Sequence, residues 1–432
     1  MPKTVKTILI IITILIIIGL IIFGIFFFRK DLADVGIISD ERAENLSFFG
    51  FVSDDGFGLM PSGDMEGGVA SEEDIDIDGE QPDIQLPKLR MVSKGPVAGA
   101  TTLKKLAVVD AITGDEEERV FVRFMERETG HVYDTDLIEM KEGRMSNTTI
   151  PKVHEVSWVN DGENAVVRYL DTESEDIKTF SGTMMYDEVT QEGSLDGVFL
   201  TDNIVEISIS PDEERLFYLT EEAGGVLGTT ADIDGSKKLQ IFDFQITEWL
   251  TQWVGNYVLI TTKPSSEVDG FAYSLGKNTG TIVRLLGDIP GLTTLSDNLL
   301  ENILYSESTN TGFTLHLFNT DNGSKDRLPF ETLPEKCVWS EDGIRLYCGV
   351  PSFIPRASYP DDWYKGAVLF EDNIWMFNTE TKVLSVLADT QTTINTEIDA
   401  IKLFLDEDEK YLFFTNKIDR SLWVLELEAE NQ

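Results

Sequence analysis

The chain has 432 residues, with 77 acidic against 35 basic side chains, a formal charge of −42, two cysteines, three histidines and 42% hydrophobic residues. An apolar share this ordinary, with 10% aromatics, excludes a wholly disordered chain. The acidity argues against a nucleic-acid partner, whose capture rests on Lys and Arg neutralising phosphates, and two cysteines cannot build a disulfide-dense scaffold.

Residues Ile8 to Phe28 are 21 consecutive positions without a charge, interrupted only by Thr13, Gly19 and Gly24. At about 1.5 Å per residue they reach about 31 Å, enough to cross a bilayer core as one helix. The run ends in Phe26, Phe27, Phe28, Arg29 and Lys30 rather than in small residues, which predicts an uncleaved membrane anchor over residues 1–30. Lys3 and Lys6 before the span nearly balance Arg29 and Lys30 after it, but residues 31–85 hold 16 acidic residues and one basic residue, Arg42. The expected orientation is therefore N-terminus cytoplasmic, with about 400 residues outside.

Residues 31–85 are acidic and Gly-rich, carry Pro61 and Pro82, and show no helical or strand period, so they read as a solvated linker. Phe48 to Val52 form a local apolar patch in it. Asp74, Asp76, Asp78 and Gly79 have the spacing that opens a calcium loop, but Pro82 interrupts it and Gln85 stands where a bidentate Glu belongs. A solvated acidic run is the expectation there, with those three aspartates a weak metal candidate.

From residue 86 the texture is short β-branched and aromatic runs divided by Gly, Asn, Asp and Pro, which read as strands and turns. One phrase recurs: an apolar strand, an acidic turn, a second apolar strand. It is found at Glu155 to Leu170, Glu206 to Leu219, Lys336 to Val350 and Ala400 to Thr415, with weaker copies at Trp253 to Thr262 and Thr293 to Glu307. The turns fall near 161, 212, 255, 298, 342 and 408. A spacing of about 43 residues, with two further strand runs before each new copy, is that of a four-stranded propeller blade. Leu89 to Leu137 supply four more strands, which makes seven blades over residues 88–427, with six or eight as alternatives. An open array leaves bare strand edges, so the N-terminal strands are expected beside the last strand, Ser421 to Leu427.

With SPDE at Ser210 to Glu213, SEDG at Ser340 to Gly343, and the degraded NDGE and DEDE turns, the repeat resembles that of TolB-type, WD-repeat-like bacterial β-propellers, whose turn reads Ser-Pro-Asp-Gly. The resemblance spans residues 150–427 and implies a fold rather than an activity. The repeat is also similar to the propeller of prolyl-oligopeptidase-like enzymes, but the expectation is that Gln432 leaves no room for their α/β-hydrolase domain.

Pairing Ser340 with Arg345 across the SEDG turn sets a register in which paired numbers sum to 685, and Cys337 plus Cys348 has the same sum. The two cysteines should face each other at a Cα separation of about 4.5–5.5 Å and form a disulfide, which implies an oxidising compartment. Beyond that hairpin, Val350 to Asp372 lengthens its blade. Phe353, Arg356, Tyr359, Trp363 and Tyr364 are hot-spot residue types, and Pro351, Pro355 and Pro360 stiffen their presentation. Two readings stand side by side: an interaction loop, or a segment folded back over a blade edge or the propeller mouth with Trp363 buried.

No GxSxG elbow, phosphate loop, HExxH, CxxC pair or complete EF-hand is present, and Gly224 to Thr230 lacks dinucleotide-loop spacing. His131, His154 and His316 belong to separate predicted blades. The expectation is an all-β, non-enzymatic, monomeric propeller without cofactor. It is anchored in the cell membrane, faces away from the cytoplasm and serves the envelope as a protein-interaction or scaffold module. The alternative is a propeller enzyme or glycan-binding protein with a carboxylate or metal site on the axis. Residues 1–30 contribute +4 and residues 31–85 contribute −15, leaving −31 for residues 86–432. Partners are thus expected to be neutral or basic proteins.

Overall fold

The computed structural model describes residues 86–427 apart from 111–114, 188, 189 and 191. The apolar run Ile8 to Phe28, the linker, its Phe48 to Val52 patch and the candidate calcium residues Asp74, Asp76 and Asp78 lie outside the described residues. Among the described residues no helix is long and apolar enough to cross a membrane.

The described strands assemble into seven four-stranded antiparallel sheets. Blade 1 consists of Val97–Asp110, Asp115–Glu126, Val132–Asp136 and Glu142–Arg144. Blades 2 to 6 follow in chain order, starting at Val153–Val159, Ile204–Ile209, Trp249–Val254, Thr294–Ser296 and Cys337–Trp339. Blade 7 holds Ala400–Leu405, Tyr411–Asn416 and Leu422–Glu426, and its outermost strand is Leu89–Met91. First strands of neighbouring blades pack against one another, so they surround the axis. This is the seven-bladed propeller that the repeat predicts.

Closure corrects one detail. Leu89, Arg90 and Met91 pair with Leu425, Val424 and Trp423, so this strand completes the last blade instead of the first. Blade 1 takes Glu142–Arg144 as its fourth strand. Joining the two ends of the repeat in one sheet leaves no open blade boundary, which is why the closing sheet draws on both.

The apolar core lies between blades. Ala98, Met125 and Val132 of blade 1 pack on Val153, Val156 and Leu195 of blade 2. Phe413, Leu422 and Val424 of blade 7 pack on Val97 and Val122 of blade 1. At about 1.5–3 kcal/mol per buried large side chain, these interfaces hold the ring together.

The recurring turn has a physical logic that extends to its degraded copies. The Ser210 hydroxyl accepts the Arg215 N–H at 2.9 Å, and the Ser340 hydroxyl accepts the Arg345 N–H at 2.9 Å. In the copies without that Ser, Asp297 accepts the Asn302 N–H at 2.9 Å and Asp406 accepts the Tyr411 N–H at 2.6 Å. Three positions after each of these residues the backbone is left-handed, at Glu213 (φ 55°), Leu300 (φ 61°), Gly343 (φ 70°) and Glu409 (φ 51°). Only Gly343 is the residue type that suits it. The two glutamates compensate for the strain by bonding a neighbouring blade, Glu213 accepting the Asn160 N–H and Glu409 the Glu341 N–H, the latter at 2.7 Å.

Cys337 pairs with Cys348 in register, their Cα atoms lie 4.1 Å apart and their sulfurs are bonded. A loop with a sequence separation of 11 gains about 2–3 kcal/mol from such a link in the chain-entropy picture.

Candidate functional site: a capped propeller mouth

The insertion joins the second and third strands of blade 6, Arg345–Pro351 and Asp372–Asn378, on the face where the chain passes from blade to blade. It is not a projecting loop. Asp361–Tyr364 make a helical turn, and Tyr359, Trp363 and Phe370 are buried with Phe313, Leu333 and Ile401 in a small core of their own. Tyr359 stacks on Phe370 and meets the Phe313 edge, at centroid distances of 5.7 and 5.0 Å. The Asp361 carboxylate accepts the Ser266 N–H of blade 4 at 2.7 Å. The Ser308 hydroxyl of blade 5 donates to the Tyr359 carbonyl, and Lys417 of blade 7 donates to the Trp363 carbonyl. The segment is therefore a cap fastened to blades 4 through 7.

Its fastening is ionic at the centre. Lys336 is fully buried, with its ammonium 2.6 Å from Asp372 and bonded to Asp399, both equally buried. Asp399 also accepts the Trp363 indole N–H at 2.9 Å and the Phe370 N–H at 3.2 Å, while Asp372 accepts the Ala400 N–H at 2.7 Å. One lysine thus serves two carboxylates. Burial, and then repulsion from Asp399, pushes Asp372 up to about 6 against the pull of Lys336. Lys417 lies 4.2 Å from the Trp363 ring centre, and burial lowers it to about 8.

Of the five predicted interaction residues, the structure buries Tyr359 and Trp363 in this core and leaves Phe353, Arg356 and Tyr364 exposed. Tyr364 turns toward the mouth and donates its hydroxyl to Glu335, which also accepts from Thr293 at 2.9 Å. Burial raises Glu335; the Tyr364 hydroxyl, desolvated at its tip although the residue is 36% exposed, and facing the Glu335 carboxylate, lies well above its ordinary range. Phe353, 73% exposed, lines a groove of about 860 Å³ with Pro329, Phe330, Pro351, Ile354 and Trp375.

Residues that the repeat pattern hid occupy the axis beside the cap. Glu155 of blade 2 meets Lys402 of blade 7 at 3.0 Å and Arg168 at 3.3 Å. Burial works to raise Glu155, but these cations hold it below the ordinary range. Glu206, on the first strand of blade 3, has no ion pair among the described residues, and burial followed by repulsion from Glu155 pushes it up to about 7 against the weaker pull of Arg168 and Lys263. It titrates higher folded than unfolded, so the stability it contributes is present below its ordinary 4.5 and lost as pH rises through about 7. Glu206→Gln is expected to leave stability unchanged near pH 4 and to raise it by about 1–2 kcal/mol near pH 8, after discounting for partial exposure. Urea denaturation of the full chain at both pH values checks this, and a variant destabilised at the higher pH contradicts it.

His131, His154 and His316 sit in three different blades, and burial lowers all three. Among the described residues no group of three or more His, Cys, Asp and Glu is placed to hold a metal ion.

No protein-family model matches the sequence, and no curated protein matches it. Among the solved structures to which the chain is similar are the following three. TolB from Acinetobacter baumannii is 8% identical with a TM-score of 0.41, over 66% of this chain and 78% of that one. An oligogalacturonate lyase in complex with manganese is 10% identical with a TM-score of 0.48, over 77% and 98%. Hydrazine synthase of Kuenenia stuttgartiensis is 13% identical with a TM-score of 0.47, over 72% and 93%. Likenesses of this degree carry no statement about binding or activity. By the order of its own sheets, the described part of the chain is a seven-bladed β-propeller.

Proposed function

We propose that this protein is a membrane-anchored interaction module, whose propeller is held outside the cytoplasm and whose cap presents the contact surface for a partner protein. The observation that carries the reading is the docking of the cap, which leaves Phe353 and Arg356 exposed beside a groove of mixed polar and apolar lining while Tyr359, Trp363 and Phe370 are locked inward. A preorganised surface with an aromatic anchor and an Arg loses little entropy on binding. The Cys337–Cys348 bond suits an oxidising compartment, and the apolar run Ile8 to Phe28 suits an anchor.

Phe353→Ala with Arg356→Ala changes no buried contact, so the melting temperature is expected to stay within about 2 °C of the wild type. Crosslinking in native membranes from a photoreactive residue at position 353 is expected to yield one partner, lost in a chain that also carries Arg356→Ala and Trp375→Ala. Recovery of no reproducible partner by the otherwise unaltered chain refutes the reading. A second reading rests on Glu206, a carboxyl on the axis that forms no ion pair among the described residues: a small polyhydroxylated or cationic ligand, bound or processed there, would occupy the mouth near Tyr364. Ligand binding abolished by Glu206→Gln, with the crosslink intact, would favour it.

A further inference from the structure

The first hairpin of blade 1 is far longer than the others. Its strands Val97–Asp110 and Asp115–Glu126 have 14 and 12 residues, against 6 and 8 for Ile204–Ile209 and Arg215–Glu222 in blade 3. The third strand of blade 1 begins its pairing with the second at Phe121, so residues 116–119 are paired with the first strand on one edge and with no described strand on the other. At about 3.4 Å per residue this two-stranded arm extends roughly 14 Å beyond the blade, on the face opposite the cap.

Its base is clamped. Lys104 reaches Glu407 at 2.9 Å and Asp408 at 3.3 Å in the turn of blade 7. Lys105 bonds Asp134, and Arg119 bonds Asp136 at 3.1 Å and Glu139 at 2.8 Å. All three cations of the arm are thereby turned toward the body. What remains outward is acidic: Glu116, Glu117 and Glu118 are exposed. Across the ribbon Leu106 faces Glu118 and Val108 faces Glu116, with Leu106 69% and Val108 56% exposed. One face of the arm is thus an aliphatic pair flanked by carboxylates.

An isolated two-stranded ribbon is marginally stable, and an open edge invites another strand. A second copy of this chain is a poor occupant, because edge-to-edge pairing would set like carboxylates side by side. We propose that the open edge at residues 116–119 is a docking site for an extended, basic segment of a partner protein, added as a third strand with its Lys or Arg side chains opposite Glu116 and Glu118. Main-chain hydrogen bonds hold such a strand, and the charges select it. The inference concerns a different face from the cap and stands or falls independently of the groove beside Phe353.

The test uses the full chain in detergent micelles and an end-blocked eight-residue peptide of alternating Val and Lys. The peptide is expected to bind, to slow amide exchange at residues 116–119, and to bind at least about tenfold more weakly when alternate amides are N-methylated, since those can no longer join the ladder. Replacing Glu116, Glu117 and Glu118 together by Gln is expected to weaken binding about tenfold, with unchanged melting, and salt is expected to weaken it in the wild type. Equal binding of the N-methylated peptide reduces the effect to charge and overturns the proposal. So does binding that the triple variant leaves intact, no binding at all, or self-association of the chain that the triple variant abolishes.

Discussion

Lys336→Met is expected to destabilise the protein by about 3–5 kcal/mol at pH 7, because it strands Asp372 and Asp399 without a cation in a fully buried site. The loss should depend on pH in a definite direction. Asp372 titrates at about 6 in the folded protein, above its ordinary 3.8, so it favours the folded state fully only below that ordinary value, and this contribution disappears as pH rises through about 6. Without Lys336 the remaining pull on its ionised form is gone, and the gap between variant and wild type should widen from about pH 5 to about pH 8. Neutralising the whole site, Lys336→Met with Asp372→Asn and Asp399→Asn, is expected to recover much of the loss, since a buried ion group contributes little net stability against well-packed neutral side chains. Denaturant melts of the three chains, wild type, single and triple variant, at the two pH values check this. A single Lys336→Met effect under about 1 kcal/mol would show that water or rearrangement satisfies the carboxylates.

Trp363→Ala is expected to act more locally and nearly as strongly. The indole is 3% exposed, donates to Asp399 at 2.9 Å, stacks near Phe370 and lies under the Lys417 ammonium. Truncation removes that bond and opens a cavity, a combination in the range of about 3–5 kcal/mol. The cap is tied to blades 4 through 7 by its own small core, so the loss should be confined to it. Amide exchange is expected to accelerate across residues 352–371, with blades 2 and 3 protected as in the wild type. Uniform loss of protection over all blades would make the cap an integral part of the global core.

The repeat was legible because four of the blades use the same turn at the same place. A side-chain oxygen must hold the N–H five residues on, and Ser210, Ser340, Asp297 and Asp406 all do so, which makes the apparently degraded copies chemically equivalent. The disulfide was legible for a related reason: antiparallel register is arithmetic once one turn is known, and Cys337 and Cys348 fall on the same sum as Ser340 and Arg345. The destination of Leu89–Met91 was only half legible. Proximity to the last strand follows from closure, but three residues ahead of a long strand look like the start of that strand's blade.

The cap and the axis were not legible in the same way. Phe353, Arg356, Tyr359, Trp363 and Tyr364 are alike as residue types, and neighbours only a few positions apart end in a buried core or on an exposed rim. Lys336, Asp372 and Asp399 are 36 and 27 positions apart in a chain with 77 acidic residues, so nothing local distinguishes them from a solvated surface. The arm offered a signal that length alone could have exposed, a first hairpin about twice as long as the later ones.

By itself the sequence determined the strand-and-turn grammar, the number of blades, the cysteine pairing and the sign of the protein's surface, all of which depend on short-range backbone geometry or on summed charge. Tertiary structure decided which charges are buried, which aromatics face water and which carboxylates share the axis. Those properties arise only when blades far apart in the chain are brought around one ring, where a side chain's neighbours come from other repeats.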